Sequence, residues 1–218
     1  MLINLLSQPR LKAYGLGKSP ESLVFARYKW NLALSQALYP SLSLLEVGLR
    51  NQMDAALTQL YGLQWLEKEG TYWIRTPRMI NQGFPNPEQD AVSKAKQKLL
   101  RENGQWSHPK LVAELNFGFW ISLFKSHYHP VIWQRKEKPM RTVFQGNPKL
   151  SPKQAYAQLD RVRVIRNRIA HQEAIWNRQT LYDDYQALLG ILEGLGAPLK
   201  SMAVELDTFP KIWAVNPG

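Results

Sequence analysis

Between Ser151 and Trp176 the residue pattern commits the chain to a long helix. A serine oxygen can accept from the free amides of a first helical turn, and Pro152 gives up nothing at the first helical position. At about 100° per residue, Val162, Ile165, Ile169 and Trp176 share a stripe roughly 60° wide, which must be buried against other elements. The predicted helix runs from about Pro152 to about Trp176. Asn167 and His171 lie one turn apart and stack on a second face, whereas Arg166 sits about 140° from His171 around the axis. One ideal helix therefore keeps Arg166 and His171 apart. Either the helix ends or distorts near His171, or a second copy of it completes the pair.

The rest of the chain repeats the helical pattern. Ser19-Pro20-Glu21 opens a helix to about Tyr39, which Pro40 is expected to end. The next runs from about Ser41 to Tyr61, with Leu42, Leu45, Leu49, Met53 and Leu60 at helical spacing and Gly62 as the stop. Leu63 to Asn86 reads as a short helix followed by a long loop carrying Trp65, Tyr72 and Trp73. Asn86-Pro87-Glu88 caps a helix to about Asn103, with Gly104 behind it. The aromatic stretch from Leu111 to Phe124 is core material. Gln134 to Lys149 reads as a basic, irregular connector. Thr180 to Leu195 turns Leu181, Tyr185, Leu188, Leu189 and Leu192 inward until Gly194 and Gly196 break it, and Pro198 opens a last helical segment towards Phe209. The expectation is an all-α bundle in one domain, residues 1–218, with no dividing linker and with a helical extension from about residue 197.

Charge bounds the partners. Against 17 Asp and Glu stand 28 Lys and Arg, a net charge of +11, which draws polyanions and makes nucleic acid the first partner to consider. A basic surface that binds nothing is the alternative. The absence of cysteine excludes disulfides and thiolate zinc sites. No apolar run approaches the roughly 18 residues of a membrane span, and Met1 to Leu6 is too short for a signal peptide, so a cytoplasmic protein is expected. His127-Tyr128-His129-Pro130 lacks a carboxylate or cysteine at ligand spacing, and Asp183 and Asp184 point in different directions on a helix. No metal or cofactor is implied.

Candidate residues follow from chemistry. Imidazoles as a class can move protons either way near physiological pH, which makes His171 a candidate; a guanidinium such as Arg166 offers a rigid fork to phosphate oxygens. One histidine cannot easily be both acid and base in a single displacement, whereas two protomers supply two. Glu46 and Arg50 have helix-supporting spacing and are either an ordinary surface pair or, with Asn51, part of a cleft facing the motif helix. Lys94, Lys96, Lys98 and Arg101 form the most basic helical stretch, either a surface facing a substrate such as RNA or a solvated helix face. Arg135, Lys136, Lys138, Arg141 and Lys149 lie in the connector, which can hold phosphates or remain mobile. Arg75 and Arg78 beside Trp73 suit single-stranded RNA, or anchor their loop. Arg10 and Lys12 either touch phosphate or are solvated, the usual state of isolated surface cations.

The segment Arg166-Asn167-Arg168-Ile169-Ala170-His171 resembles the arginine, four-to-six residues, histidine motif of HEPN-domain ribonucleases, including the asparagine after the arginine. Five segments occur in the order seen in Abi-like proteins of the abortive-infection AbiD/AbiF type: Leu6-Ser7-Gln8-Pro9-Arg10, Tyr28-Lys29-Trp30-Asn31, Leu45-Glu46-Val47-Gly48-Leu49-Arg50-Asn51, Phe117-Gly118-Phe119-Trp120 and Arg166 to Glu173. Together they span about residues 5–195. The resemblance implies an all-helical HEPN-like bundle and a homodimer whose motif helices face each other. It also implies metal-independent cleavage of RNA to 2′,3′-cyclic phosphate and 5′-hydroxyl ends. Arg166, Asn167 and His171 would be its catalytic residues, with Glu46, Arg50, Asn51, Arg163 and Glu173 in support. An RNA or protein antitoxin is a further implied partner. Where that family often has His-His-Glu-Pro, this chain has His171-Gln172-Glu173-Ala174. A non-catalytic RNA-binding or interaction module of the same fold is the alternative.

Overall fold

A computed structural model describes residues 2–67 and 73–217. Among the described residues the regular structure is helical, and the only β-type pairing is an isolated bridge between Leu16 and Ser19. In order, the helices are α1 (Leu2–Leu6), α2 (Gln8–Lys12), α3 (Glu21–Tyr61), α4 (Pro77–Asn81), α5 (Pro87–Asn103), α6 (His108–Glu114) and α7 (Phe117–Ser122). A 3-10 turn (Ser126–Tyr128) and a π-helical turn (His129–Trp133) precede α8 (Pro139–Val143), α9 (Pro152–Ala170), α10 (Leu181–Leu195), α11 (Ala197–Glu205) and α12 (Phe209–Trp213).

Helix α3 is the axis of the molecule. The two helices expected on either side of Pro40 are one helix of 41 residues, with Pro40 inside it. Proline forfeits one hydrogen bond, to the carbonyl of Gln36, and costs about 3 kcal/mol in a helix interior. Yet Ala37, Leu38, Ser41 and Leu42 on both sides of it are buried, and each leucine returns about 1.5–3 kcal/mol. Continuity therefore wins. Helices α8, α10, α11 and α12 pack along α3, and α9 packs on α10 and α7. Gly48 is where α11 comes closest, since a Cβ there would stand 2.7 Å from a methyl of Leu199. By length and composition α3 could cross a membrane, but here it supplies the central row of the core, from Leu34 through Leu45 and Leu49 to Leu57.

Burial settles several readings that the sequence left open. Trp65, Trp73, Phe119 and Trp120 form one aromatic cluster with centroids 5.1–6.4 Å apart, so Trp73 anchors its segment to the core. Tyr72 lies outside the described residues. The region after α3 begins with turns and places its short helix, α4, late, the reverse of the expected order. The connector between Gln134 and Lys149 contains α8, because Met140, Val143 and Phe144 are buried. The last segment is two helices, α11 and α12.

A smaller second core gathers Leu11, Tyr14 and Val24 with Leu6, Phe25, Tyr28 and Trp176. It joins the N-terminal segment to the turn that follows α9, and it decides the shape of the candidate site.

Candidate active site

Helix α9 starts as its sequence dictates. Ser151 accepts from the amide of Gln154 at 3.3 Å while Gln154 reaches back to the amide of Ser151 at 3.0 Å, a capping box. It ends six residues before Trp176. The Gln172 amide bonds to Ile169 at 3.0 Å and the Glu173 amide to Arg168 at 2.7 Å, the paired bonds of a Schellman turn, with His171 as the cap residue. Gln172 takes φ 56°, a left-handed conformation usual for glycine. What holds it is distant in sequence, for Arg10 donates from Nη1 to the Gln172 carbonyl at 2.7 Å.

The turn after His171 is fastened on every side. Asn31, buried in α3, accepts from the amides of Ile175 and Trp176 at 2.7 and 3.1 Å. Trp176 donates from Nε1 to the Ala13 carbonyl at 3.2 Å, stacks near Tyr14 with centroids 6.2 Å apart, and has the Arg27 guanidinium 4.9 Å from its ring centre. Asp184, fully buried at the start of α10, receives Arg178 at 2.5 Å, the Thr180 hydroxyl at 3.0 Å and Arg161. Its neighbour Asp183 points out to solvent.

Two clefts flank the end of α9 and share no lining residue. The larger, of about 570 Å³, is lined by Ser7, Arg10, Tyr14, Arg168, His171 and Glu173 among others. The His171 ring is exposed and makes no side-chain hydrogen bond among the described residues. Arg168 is engaged, donating to the Ala174 carbonyl at 3.2 Å and lying 3.6 Å from Glu173. Burial pushes the Tyr14 phenol up to about 12, with Tyr28 adding to the shift, so this ring is neutral at physiological pH.

The smaller cleft, of about 320 Å³, holds Arg166, Glu46 and Arg50 between Tyr39, Val47 and Ile169. Arg166 pairs with Glu46 across 120 positions of sequence at 3.2 Å, with Nε and Nη2 directed at the two carboxylate oxygens. Arg50 donates to the Ala113 carbonyl at 3.4 Å, and its buried Nε has no partner among the described residues. A single chain thus places Arg166 and His171 in different clefts, as their separation around the helix requires.

The remaining candidates are scattered. Asn167 and Asn51 line neither cleft. Arg163 pairs with Asp160 at 2.7 Å in a third cleft, of about 270 Å³, beside Gly118 and Lys125. On α5, Lys94 pairs with Asp90 at 2.7 Å, Lys98 with Glu114 at 2.6 Å, and Lys96 covers the Trp106 ring at 4.1 Å. The Glu114 bond, with Glu102 nearby, holds the Lys98 amine above its ordinary value. Arg135 faces Glu137 at 3.9 Å, while Arg101, Lys136 and Arg141 are exposed. None of these cations lines either main cleft.

The histidines outside the motif are structural. His108 opens α6 and holds Asp54 at 2.8 Å, an oxygen that also accepts Trp65 Nε1 at 2.7 Å. His129 meets the Phe124 carbonyl at 3.1 Å, and His127 packs on Tyr128. Among the described residues no three histidine, aspartate or glutamate side chains converge as metal ligands.

Sequence reading assigned Asn31 no role, offered Arg10 only as a phosphate contact or a solvated cation, and did not tie Asp184 to the turn after α9. Arg10 and Asn31 stood in the quoted segments, but without a distance their partners around residue 172 were invisible. All five segments meet at the motif helix or the turn that follows it: Arg10 at Gln172, Asn31 at Ile175 and Trp176, Glu46 at Arg166, and Gly118 beside Asp160 and Arg163. In comparisons with family models, with curated proteins and with solved structures, nothing matches this chain.

Proposed function

We propose that this chain is a metal-independent endoribonuclease of the HEPN type, acting as a cytoplasmic homodimer and serving as a toxin or abortive-infection effector in antiphage defence, where an RNA or protein antitoxin would restrain it. One observation carries the reading. His171 stands exposed at the end of α9, in a cleft large enough for a nucleotide and beside two arginines, with its imidazole committed to no other bond. Of the other histidines, His108 and His129 are hydrogen-bonded and the unpartnered Nε2 of His127 is buried, so among the described residues His171 is the imidazole that is both exposed and unbonded.

In the reaction the ribose 2′-oxygen attacks the adjacent phosphorus while the bond from phosphorus to the 5′-oxygen breaks. His171 takes the proton of the 2′-hydroxyl, and His171 of a second copy returns a proton to the leaving 5′-oxygen. The intramolecular nucleophile requires no metal-activated water and restricts cleavage to RNA. Arg166 exchanges the Glu46 carboxylate for a phosphate oxygen, and Asn167 orients the phosphate or the imidazole. The homodimer reading is supported by Leu32, Tyr39 and Val47, exposed apolar side chains of α3, of which the latter two border the Arg166 cleft.

The test incubates the protein and its His171→Ala variant with mixed RNA and its DNA counterpart in excess EDTA. The reading expects cleavage of RNA alone, with cyclic phosphate ends, lost in the variant. The second reading, an RNA-binding module without catalysis, is favoured by the Arg166 pairing with Glu46, which already satisfies the guanidinium. It expects tight binding, no cleavage and no effect of the substitution.

A further inference from the structure

We propose that Arg10 is a phosphate-binding residue of the His171 cleft, so that the N-terminal segment brings to the imidazole the cation that α9 turns away from it. The inference rests on the reading of this cleft as an RNA site.

The cations that line the cleft are Arg10 and Arg168. Arg168 donates to the Ala174 carbonyl and lies 3.6 Å from Glu173, an acid lining the same cleft, so its charge is already partly met. Arg10 makes one bond, from Nη1 to the Gln172 carbonyl, and its remaining N–H groups are free among the described residues. A guanidinium with one edge pinned and another open is suited to a phosphate, whose oxygens match its planar fork. The pinning matters because it places the cation one residue from His171.

The segment that carries Arg10 is itself rigid. Leu11 and Tyr14 are buried in the second core, Ala13 receives the Trp176 indole, and Tyr14 meets Tyr28 edge-on at 5.0 Å. These contacts tie α2 to the same turn that presents His171. Arg10 is therefore preorganised, and little side-chain entropy remains to be lost when an anion arrives. Arg166 has none of this relation to the imidazole, since it faces Glu46 in the other cleft.

The experiment measures binding of a fluorescent single-stranded 2′-O-methyl RNA, which the proposed chemistry cannot cut, across a salt series. The proteins are the wild type, Arg10→Met, Arg10→Lys, Gln172→Gly and the Arg10→Met/Gln172→Gly double variant; cleavage of unmodified RNA is followed in parallel. Arg10→Met is expected to weaken binding about tenfold and to reduce the slope of log affinity against log salt by about 0.7, the loss of one phosphate contact on a single strand. Arg10→Lys recovers part of both. If Arg10 served only to hold the left-handed turn, Gln172→Gly would restore the Arg10→Met protein, because glycine adopts φ 56° without that support; such rescue overturns the proposal. So does an unchanged affinity and slope, or a wild type that does not bind the oligonucleotide. If the slope falls as expected while no protein cuts RNA, Arg10 keeps its role and the ribonuclease reading fails.

Discussion

The two clefts at the end of α9 are built from the same helix and each sets two arginines against one glutamate, yet they differ in what is left open. In one, Arg166 meets the Glu46 carboxylate and Arg50 is held at the Ala113 carbonyl. In the other, His171 faces Arg10 and the Arg168–Glu173 pair with its own ring unbonded. Proximity to a motif is thus a poor guide to availability. A half-exposed ion pair contributes about 0–1 kcal/mol, so Glu46 is a weak lock and Arg166 can change partners. An imidazole without a partner has nothing to exchange, and its cleft is open already.

Substitutions on the two sides should therefore separate activity from stability. The largest effect belongs to His171→Ala. Cleavage should fall about 10²- to 10⁴-fold, the usual worth of a general acid or base, while the unfolding free energy moves by no more than about 0.5 kcal/mol. Single-turnover assays and urea melts give the two numbers, and a large loss of stability would make His171 structural. Next comes Asp184→Ala. Removing the fully buried carboxylate strands Arg161 and Arg178, and breaking a buried charge cluster costs about 3–5 kcal/mol. Hydrogen exchange should show the amides of Ile175 and Trp176 losing protection before those of α9, because this cluster braces the turn that forms the His171 cleft. Equal loss in both places would mean that the two clefts are one cooperative unit.

Smaller still is Glu46→Gln, which leaves Arg166 without its charged partner. About 1 kcal/mol or less of stability should be lost, together with a rise in affinity for uncleavable RNA, if the carboxylate competes with phosphate for the guanidinium. Affinity that is unchanged would place Arg166 outside the RNA path and sharpen the contrast with His171.

What the sequence disclosed was local. The cap of α5, where Asn86 accepts the Gln89 amide at 2.8 Å, and the capping box of α9 need only residues three apart. The opposed directions of Asp183 and Asp184 needed only helical geometry. The misreadings share another cause, which is tertiary contact. Pro40 is the usual end of a helix, and only burial on both of its sides carries α3 through it. No glycine marks the end of α9. Gln172 takes the left-handed turn because Arg10, 162 positions away, holds its carbonyl. Burying Trp176 in the second core then requires the chain to leave the helix before reaching it. The site was legible as a pair of residues and not as two clefts, since the angle between Arg166 and His171 tells that they part without telling what each one meets.

The last test asks whether any other group in the His171 cleft can carry protons. Tyr14 lines that cleft, but burial holds its phenol near 12, above the ordinary value of 10. A phenol so raised stays protonated through the neutral range, so Tyr14→Phe should leave the pH–rate profile of cleavage in place. A shifted limb would make Tyr14 a proton carrier. The same shift has a stability consequence with a definite sign. Between about pH 10 and 12 the unfolded chain releases this proton more readily than the folded one, so it binds fewer protons and stability falls as pH rises. Tyr61, Tyr128 and Tyr185 are raised by burial too and add to that alkaline loss. Tyr14→Phe keeps the ring against Trp176 and removes one of these four contributions, so its melts should fall less steeply with pH than those of the wild type above pH 10 and match them at pH 7 once the constant effect of the missing hydroxyl is subtracted. Parallel curves would mean that the Tyr14 hydroxyl is open to water, and the wall it forms beside His171 would then be wetter and less rigid than the second core implies.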